Sequence, residues 1–253
     1  MLTLTIMAAG EGKRMNSNIP KVLHNFNGIP MLIRIILEGS KLEHSKILII
    51  TGKYDLLIKD TLKNYFENNN INLFDNLIFV NQTIPNGTGD AIKYALPYYS
   101  DDEEVLILNG DNPLISYELL SKFIKQKSPA LLVANLENPY GYGRILYDSN
   151  NIFIGIKEEK DCNEQEKKIN IINAGMYFFN SNLLKKYIPM LDNNNAQKEY
   201  YLTDIVKVIK KDNNININTY VLEEQLKYQI FGVNTQKELQ DLEEKYKNIV
   251  NGY

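Results

Sequence analysis

Five short apolar runs, at residues 2–8, 46–51, 77–82, 104–109 and 129–136, alternate with amphipathic stretches at 30–42, 56–67, 89–99 and 116–127. Apolar runs of this length read as strands, and apolar residues spaced three and four apart read as helices. A chain that alternates the two must cover both faces of one sheet, because each strand exposes apolar side chains to either side. The expected fold class is α/β, a mostly parallel sheet with helices on both faces. Pro30 suits the first turn of its helix, and Ser116 is placed to cap the helix that follows it. In such sheets ligands sit beyond the carboxyl ends of the strands, so the loops leaving those ends carry the candidate chemistry.

After residue 136 the pattern changes. Gly141-Tyr142-Gly143 marks a turn, and residues 144–147 and 152–156 read as a hairpin. Residues 157–168 are charged and read as a loop, 173–179 as a strand, and helices are expected near 181–190 and 201–211. This is a second lobe rather than an independent unit. The expected organisation is one domain over 1–253, with a first half at 1–136, a lobe at 137–230 and a terminal helix at 236–250. Thr235-Gln236-Lys237-Glu238 has capping-box spacing, and Leu239, Leu242, Tyr246 and Ile249 form one apolar stripe. That stripe is expected to fold back on its own chain, the alternative being a second subunit, so a monomer or a small homo-oligomer is expected.

Composition excludes several classes of function. With a net charge of −3 the chain has no basic surface for nucleic acid. Cys162 is the only cysteine, which rules out an internal disulfide and a zinc site built on thiolates. The N-terminus lacks the pattern of a signal peptide, and the longest apolar runs are too short to span a bilayer, so no membrane role is expected. A reducing, cytoplasmic compartment fits best. Asparagine is frequent, and runs such as 68–70 reflect compositional bias rather than chemistry.

Residues 7–15 read MAAGEGKRM. Gly10-Glu11-Gly12 is not a dinucleotide fingerprint, since Met15 stands where the third glycine belongs; nor is it a Walker loop, since Lys13 is followed by Arg14. Two glycines still allow successive backbone N–H groups to point at one anion, with Lys13, Arg14 and Lys21 adding charge. An isolated Gly-x-Gly is equally compatible with a plain turn. Asn109-Gly110-Asp111 ends a strand on the same edge, and one carboxylate beside phosphates suffices for Mg²⁺, which completes its shell with phosphate oxygens and water. Taken alone this too is a good turn sequence. The third loop, Pro85-Asn86-Gly87-Thr88-Gly89, can approach a flat ligand closely, and Gln82 offers both donor and acceptor to a base edge.

Taken together, MAAGEGKRM with PKVLH, then NGTGDA, NGDNPL, ENPYGYGRI, IKEEKD, INAGMYFF, NNNAQKEYYLTDIV and FGVN, resemble in order the N-acetylglucosamine-1-phosphate uridyltransferases, the pyrophosphorylase half of a bifunctional bacterial enzyme. The resemblance runs from about residue 4 to about 243. It implies a Rossmann-like domain of nucleotide-diphospho-sugar transferase type with an inserted sugar-binding lobe, Mg²⁺ as cofactor, and UTP and N-acetylglucosamine 1-phosphate as substrates. It further implies that Met7, Ala8, Ala9, Gly10, Gly12, Lys13, Gln82, Gly87, Thr88, Asn109, Gly110 and Asp111 surround the nucleotide. Arg14 and Lys21 would be catalytic groups facing the phosphates. Gly141, Glu158, Asn173, Tyr201 and Thr203 would line the sugar site, and Asp111 and Asn234 would bind the metal.

The sequence departs from the family pattern at Lys13 (usually threonine), Pro85 (glutamine), Asn109 (tyrosine) and Ala174 (threonine), and none of these departures removes a proposed metal or phosphate ligand. No hexapeptide repeat of the family's acetyltransferase β-helix occurs. The expected protein is therefore monofunctional, making the sugar nucleotide without acetylating the amino sugar. The rivals are a transferase for another sugar phosphate or another nucleoside triphosphate, and a non-catalytic sensor of nucleotide sugars.

Overall fold

A computed structural model describes residues 1–212 and 215–251. In chain order the first elements are β1 (Leu2–Met7), β2 (Asn25–Phe26), β3 (Ile29–Pro30), α1 (Met31–Gly39), β4 (Lys46–Thr51) and α2 (Asp55–Asn68). Next come β5 (Leu77–Asn81), α3 (Thr88–Ala95), β6 (Glu104–Asn109), α4 (Tyr117–Phe123) and β7 (Ala130–Asn135). The chain continues through β8 (Arg144–Tyr147), β9 (Phe153–Lys157), β10 (Ile171–Asn180), α5 (Ser181–Tyr187), α6 (Ile205–Lys211), β11 (Asn218–Val221) and α7 (Gln236–Asn251). The central sheet runs β11-β7-β10-β6-β1-β4-β5, with the β8–β9 hairpin attached to β10.

The expected fold class holds, for the reason its alternation suggested. Even-numbered residues of β1, Leu4 and Ile6, pack with Leu106 and Leu108 under α1, α2 and α4. Side chains on the opposite face, including Leu48, Ile50, Val105 and Ile107, pack with α3, α5 and α6. Burying an aliphatic side chain fully contributes about 1.5–3 kcal/mol, so a sheet covered on both sides is strongly favoured.

Several boundaries differ from the sequence expectations. Pro30 closes β3 and caps α1 rather than occupying its first turn. Ser116 does cap α4, its hydroxyl accepting from Leu119 N–H at 3.3 Å. That helix stops at Phe123, because Lys125, Gln126 and Lys127 have nothing apolar to bury and Pro129 follows. Residues 157–168 are not all loop: Lys157 ends β9, and two short 3₁₀ turns follow. The β2–β3 hairpin and β11 went unanticipated. Both are short, and β11 (NTYV) lacks an apolar run because it is an edge strand.

What positions the site is the register at the centre of the sheet. β1 runs parallel to β4 and β6, and Met7 pairs with Asn109, so the loops after β1 and β6 leave from adjacent points on one edge. β10 lies antiparallel between β6 and β7, with a register shift between Asn173 and Tyr177. Such bulges re-aim side chains next to active sites.

At the chain's end Thr235 caps α7 by accepting from Glu238 N–H at 3.1 Å. The apolar stripe does fold back: Leu242 is buried with Met15, Phe26, Met31, Leu114 and Val233, and Leu239 and Tyr246 pack against them. Tyr246 meets Phe26 edge-on at 5.6 Å between ring centroids. Among the described residues no helix is long and apolar enough to cross a membrane.

Candidate active site

The loop after β1 turns at Gly12, whose φ is +65°, and enters a 3₁₀ turn at Lys13–Met15 that buries Met15. A second 3₁₀ turn, Lys21–Leu23, buries Val22 and Leu23 and leaves the Lys21 side chain pointing to the sheet edge. There it meets the loop after β6, where Gly110 N–H donates to Met7 C=O at 2.9 Å. The Lys21 ammonium donates to Asp111 Oδ2 in a short contact and to Asn234 Oδ1 at 2.9 Å.

Asn234 is brought across the molecule by one side-chain and one backbone hydrogen bond. Asn112 Nδ2 donates to Ile230 C=O at 2.7 Å, and Val233 N–H donates to Asp111 C=O at 3.1 Å. Two hard oxygen donors, one carboxylate and one amide, therefore converge on a single cationic centre. That donor set fits Mg²⁺, which takes one or two protein oxygens and draws the rest from phosphate and water. Among the described residues no group of three or more carboxylates, imidazoles and thiolates is placed to hold a metal.

Beside this pair opens a cavity of about 460 Å³. Of the sequence-predicted residues it is lined by Met7, Arg14, Thr88, Asn109, Asp111, Gly141, Glu158, Asn173, Thr203 and Asn234. Members of both sets that the resemblance implied, nucleotide loops and sugar lobe, thus line one cleft. Others lie apart from its walls. Lys13 is exposed and pairs with Glu11 at 3.5 Å. Gln82 is buried, and its Nε2 donates to Asp90 Oδ2 at 2.8 Å and to Gly87 C=O at 3.2 Å. Tyr201 is buried and does not line the cleft. Ala8, Ala9, Gly10, Gly12, Lys21, Gly87 and Gly110 are not among the residues that line the cleft.

The third loop is fastened to the sugar side. Tyr200 N–H donates to Asn86 C=O at 2.8 Å, Gly89 N–H donates to Tyr200 C=O at 2.7 Å, and Leu202 N–H donates to Thr88 Oγ1 at 3.0 Å. Asn195, in the asparagine run that matched a family motif, closes the preceding turn by accepting from Glu199 N–H at 3.2 Å.

On the sugar side, Thr203 donates to Glu158 Oε1 at 2.8 Å. Burial pushes the Glu158 carboxyl above its ordinary range; the Thr203 hydrogen bond opposes this, and Asp204 and Asp161 add to it. Asn173 stands at the bulge of β10, donating to the Tyr177 hydroxyl at 2.7 Å and accepting from Gly175 N–H at 3.2 Å. Its amide is thus already tied into the wall. Asn173→Ala is expected to lower stability by about 1–3 kcal/mol, by leaving the buried Tyr177 hydroxyl without a partner. Denaturant melts of the two proteins measure this, and an unchanged midpoint would contradict it.

Sequence reading missed three contributors. Arg144 is almost fully buried, and its guanidinium donates to Glu159 at 2.6 Å, to Lys167 C=O at 3.3 Å and, in a short contact, to Tyr142 C=O. Glu159 in turn accepts from Gly141 N–H at 3.1 Å, so this pair holds the glycine turn in place. Tyr142 lines the cleft, and burial pushes its hydroxyl up to about 12, with the Gly232 backbone opposing and Asp111 and Glu238 adding to the rise. Glu238, Asp241 and Lys245 of α7 form a further wall. The GYGRI motif flagged the first two positions, but burial, which makes Arg144 a fastener, is invisible in a sequence.

The loops after β1 and β6 share one cleft with residues of the second lobe, and comparison with known proteins places the chain among the nucleotidyltransferases. A family model described as MobA-like NTP transferase domain matches residues 4–155. The chain is 42% identical over 248 residues to a probable UDP-N-acetylglucosamine pyrophosphorylase of Acanthamoeba polyphaga mimivirus, covering 96% of this chain and 95% of that one. It is 40% identical to the bifunctional protein GlmU of Trichodesmium erythraeum and 38% to that of Francisella tularensis, spanning only 50% and 52% of those proteins. A crystal structure from Bacillus anthracis, assigned as a glucose-1-phosphate thymidylyltransferase, superposes with a TM-score of 0.72 over 96% of this chain and 94% of its own, at 19% identity, a likeness of fold alone. The chain belongs to the MobA-like NTP transferase family and, within it, to the UDP-N-acetylglucosamine pyrophosphorylases.

Proposed function

We propose that this protein, acting as a single nucleotidyltransferase domain in the cytoplasm, joins UTP and N-acetylglucosamine 1-phosphate to give UDP-N-acetylglucosamine and pyrophosphate. The observation that carries this reading is the shared cleft. Arg14, Asp111 and Asn234 line the same cleft as Glu158, Asn173 and Thr203, so two phosphorylated substrates would meet in it.

The sugar phosphate oxygen attacks the α-phosphorus of UTP in line, and pyrophosphate leaves. The nucleophile is already an anion at neutral pH, so no general base is needed. The barrier is the repulsion of two polyanions, and it is lowered by positioning and by fixed positive charge. Lys21 and Arg14 supply that charge, Arg14 as a fork matched to phosphate oxygens. Asp111 and Asn234 would hold a magnesium ion, which when bound supplies further neutralisation of the phosphates. The glycine turn at Gly141, Glu158 and Thr203 orient the sugar. Lys13, exposed and outside the lining of the cleft, is free to differ from the family's threonine.

Incubation with Mg²⁺, UTP and N-acetylglucosamine 1-phosphate should release pyrophosphate and yield the sugar nucleotide, read by coupled phosphate assay and mass spectrometry. A parallel panel with glucose 1-phosphate, TTP and CTP tests the rival substrates; faster turnover of any of these would replace the reading. Arg14→Ala should reduce turnover roughly 10²-fold with the melting temperature nearly unchanged, since the side chain is exposed. No turnover with any pair would favour the sensor.

A further inference from the structure

The oxygens suited to a divalent ion are already engaged. Lys21 Nζ donates to both Asp111 Oδ2 and Asn234 Oδ1, and the Lys21 and Asp111 side chains are only 15% and 18% exposed. We propose that Lys21 is the resident counter-cation of the Asp111–Asn234 pair, and that a divalent ion gains this site together with a nucleotide, whose phosphates take over the displaced ammonium. This rests on the functional reading above and assigns an order of loading to it.

The argument is one of charge and space. Asp111 and Lys21 neutralise each other, and among the described residues no group of three or more carboxylates, imidazoles and thiolates is placed to hold a metal. An ammonium sits about 2.9 Å from its acceptor oxygens, whereas Mg²⁺ sits about 2.0–2.1 Å from its ligands. One pair of oxygens cannot hold both ions at contact, and a divalent ion arriving alone would have to displace an ammonium while Glu238, a carboxylate of the same cleft, is already engaged by Asn234 N–H at 2.7 Å. The lysine's position is enforced at its base, where the turn Lys21–Leu23 is buried at Val22 and Leu23 and Lys21 Cβ occupies the space that a Cβ at Gly12 would fill. Its four-carbon stem is the free part, able to swing the ammonium toward a phosphate without moving the backbone. A triphosphate supplies oxygens for both ions at once, which makes the exchange favourable only when nucleotide is present.

The test uses the full chain and Mn²⁺ as the probe, with binding followed by electron paramagnetic resonance and calorimetry in the absence of substrates. Lys21→Met keeps the stem and removes the charge. It is expected to bind Mn²⁺ at least tenfold more tightly than the unaltered protein. The unaltered protein should reach comparable affinity only when a non-hydrolysable UTP analogue is added. Lys21→Gln serves as the second variant should the first fold poorly. Asp111→Asn should abolish Mn²⁺ binding in every background. Should Lys21→Met bind no more tightly while Asp111→Asn still abolishes binding, the exchange is wrong and the metal pair stands. Should Asp111→Asn leave Mn²⁺ binding intact, the metal assignment falls and the exchange with it.

Discussion

Replacing Asp111 with alanine is expected to lower kcat by about 10²- to 10³-fold, the range seen when one preorganised electrostatic contact to a transition state is lost. Asp111 carries two burdens at once. Among the described residues it is the sole carboxylate bonded to Lys21, and its backbone C=O receives Val233 N–H, which aligns the segment bearing Asn234. The substitution spares the backbone bond and removes only the charge, so loss of activity should exceed loss of stability. The side chain is partly exposed, and the fold rests on apolar cores that do not include it. Steady-state kinetics and thermal melts run side by side check this. A melting temperature that collapsed together with activity would show that Asp111 is structural, and near-normal turnover would remove it from the mechanism.

The second large effect is expected at Gly12. Its φ of +65° is left-handed backbone, which costs an alanine roughly 1–2 kcal/mol, and a Cβ built there would lie 2.5 Å from Lys21 Cβ and 3.1 Å from Lys21 N. Backbone must shift, and the residue displaced is the one that bonds Asp111 and Asn234. Gly12→Ala is therefore expected to lower stability by about 1–3 kcal/mol and turnover by at least tenfold. Gly10 is the internal control. Nothing lies within 4 Å of a Cβ built there, so Gly10→Ala should change stability by no more than about 0.5 kcal/mol. Equal melting curves for the two variants would refute the distinction. The pair also refines the reading of the motif: of its two glycines, only the second is demanded by conformation and packing.

Much of the fold was legible because burial on both faces of a sheet writes apolar runs into the chain. The runs at 46–51 and 104–109 coincide with β4 and β6, residue for residue. Strand direction is not written there. β10 carries ten residues as apolar as any parallel strand, yet it lies antiparallel between β6 and β7, a choice made by which edge was free. Short pieces also escaped: β11 and the β2–β3 hairpin are held by neighbours rather than by their own pattern.

At the site the division has the same physical origin. Sequence alone determined which residue types stand at the ends of the parallel strands: a glycine turn with basic followers, a lone aspartate after β6, and a capped helix at the end with one apolar stripe. Those are local properties, set by backbone conformation and by the period of burial. Only the tertiary structure decided that Lys21, Asp111 and Asn234 meet at one point, that Gln82 turns inward, and that a buried Arg144 fastens the sugar-side turn. Each of these depends on contacts between segments distant in the chain, whose free energy arises only once the sheet has brought them together.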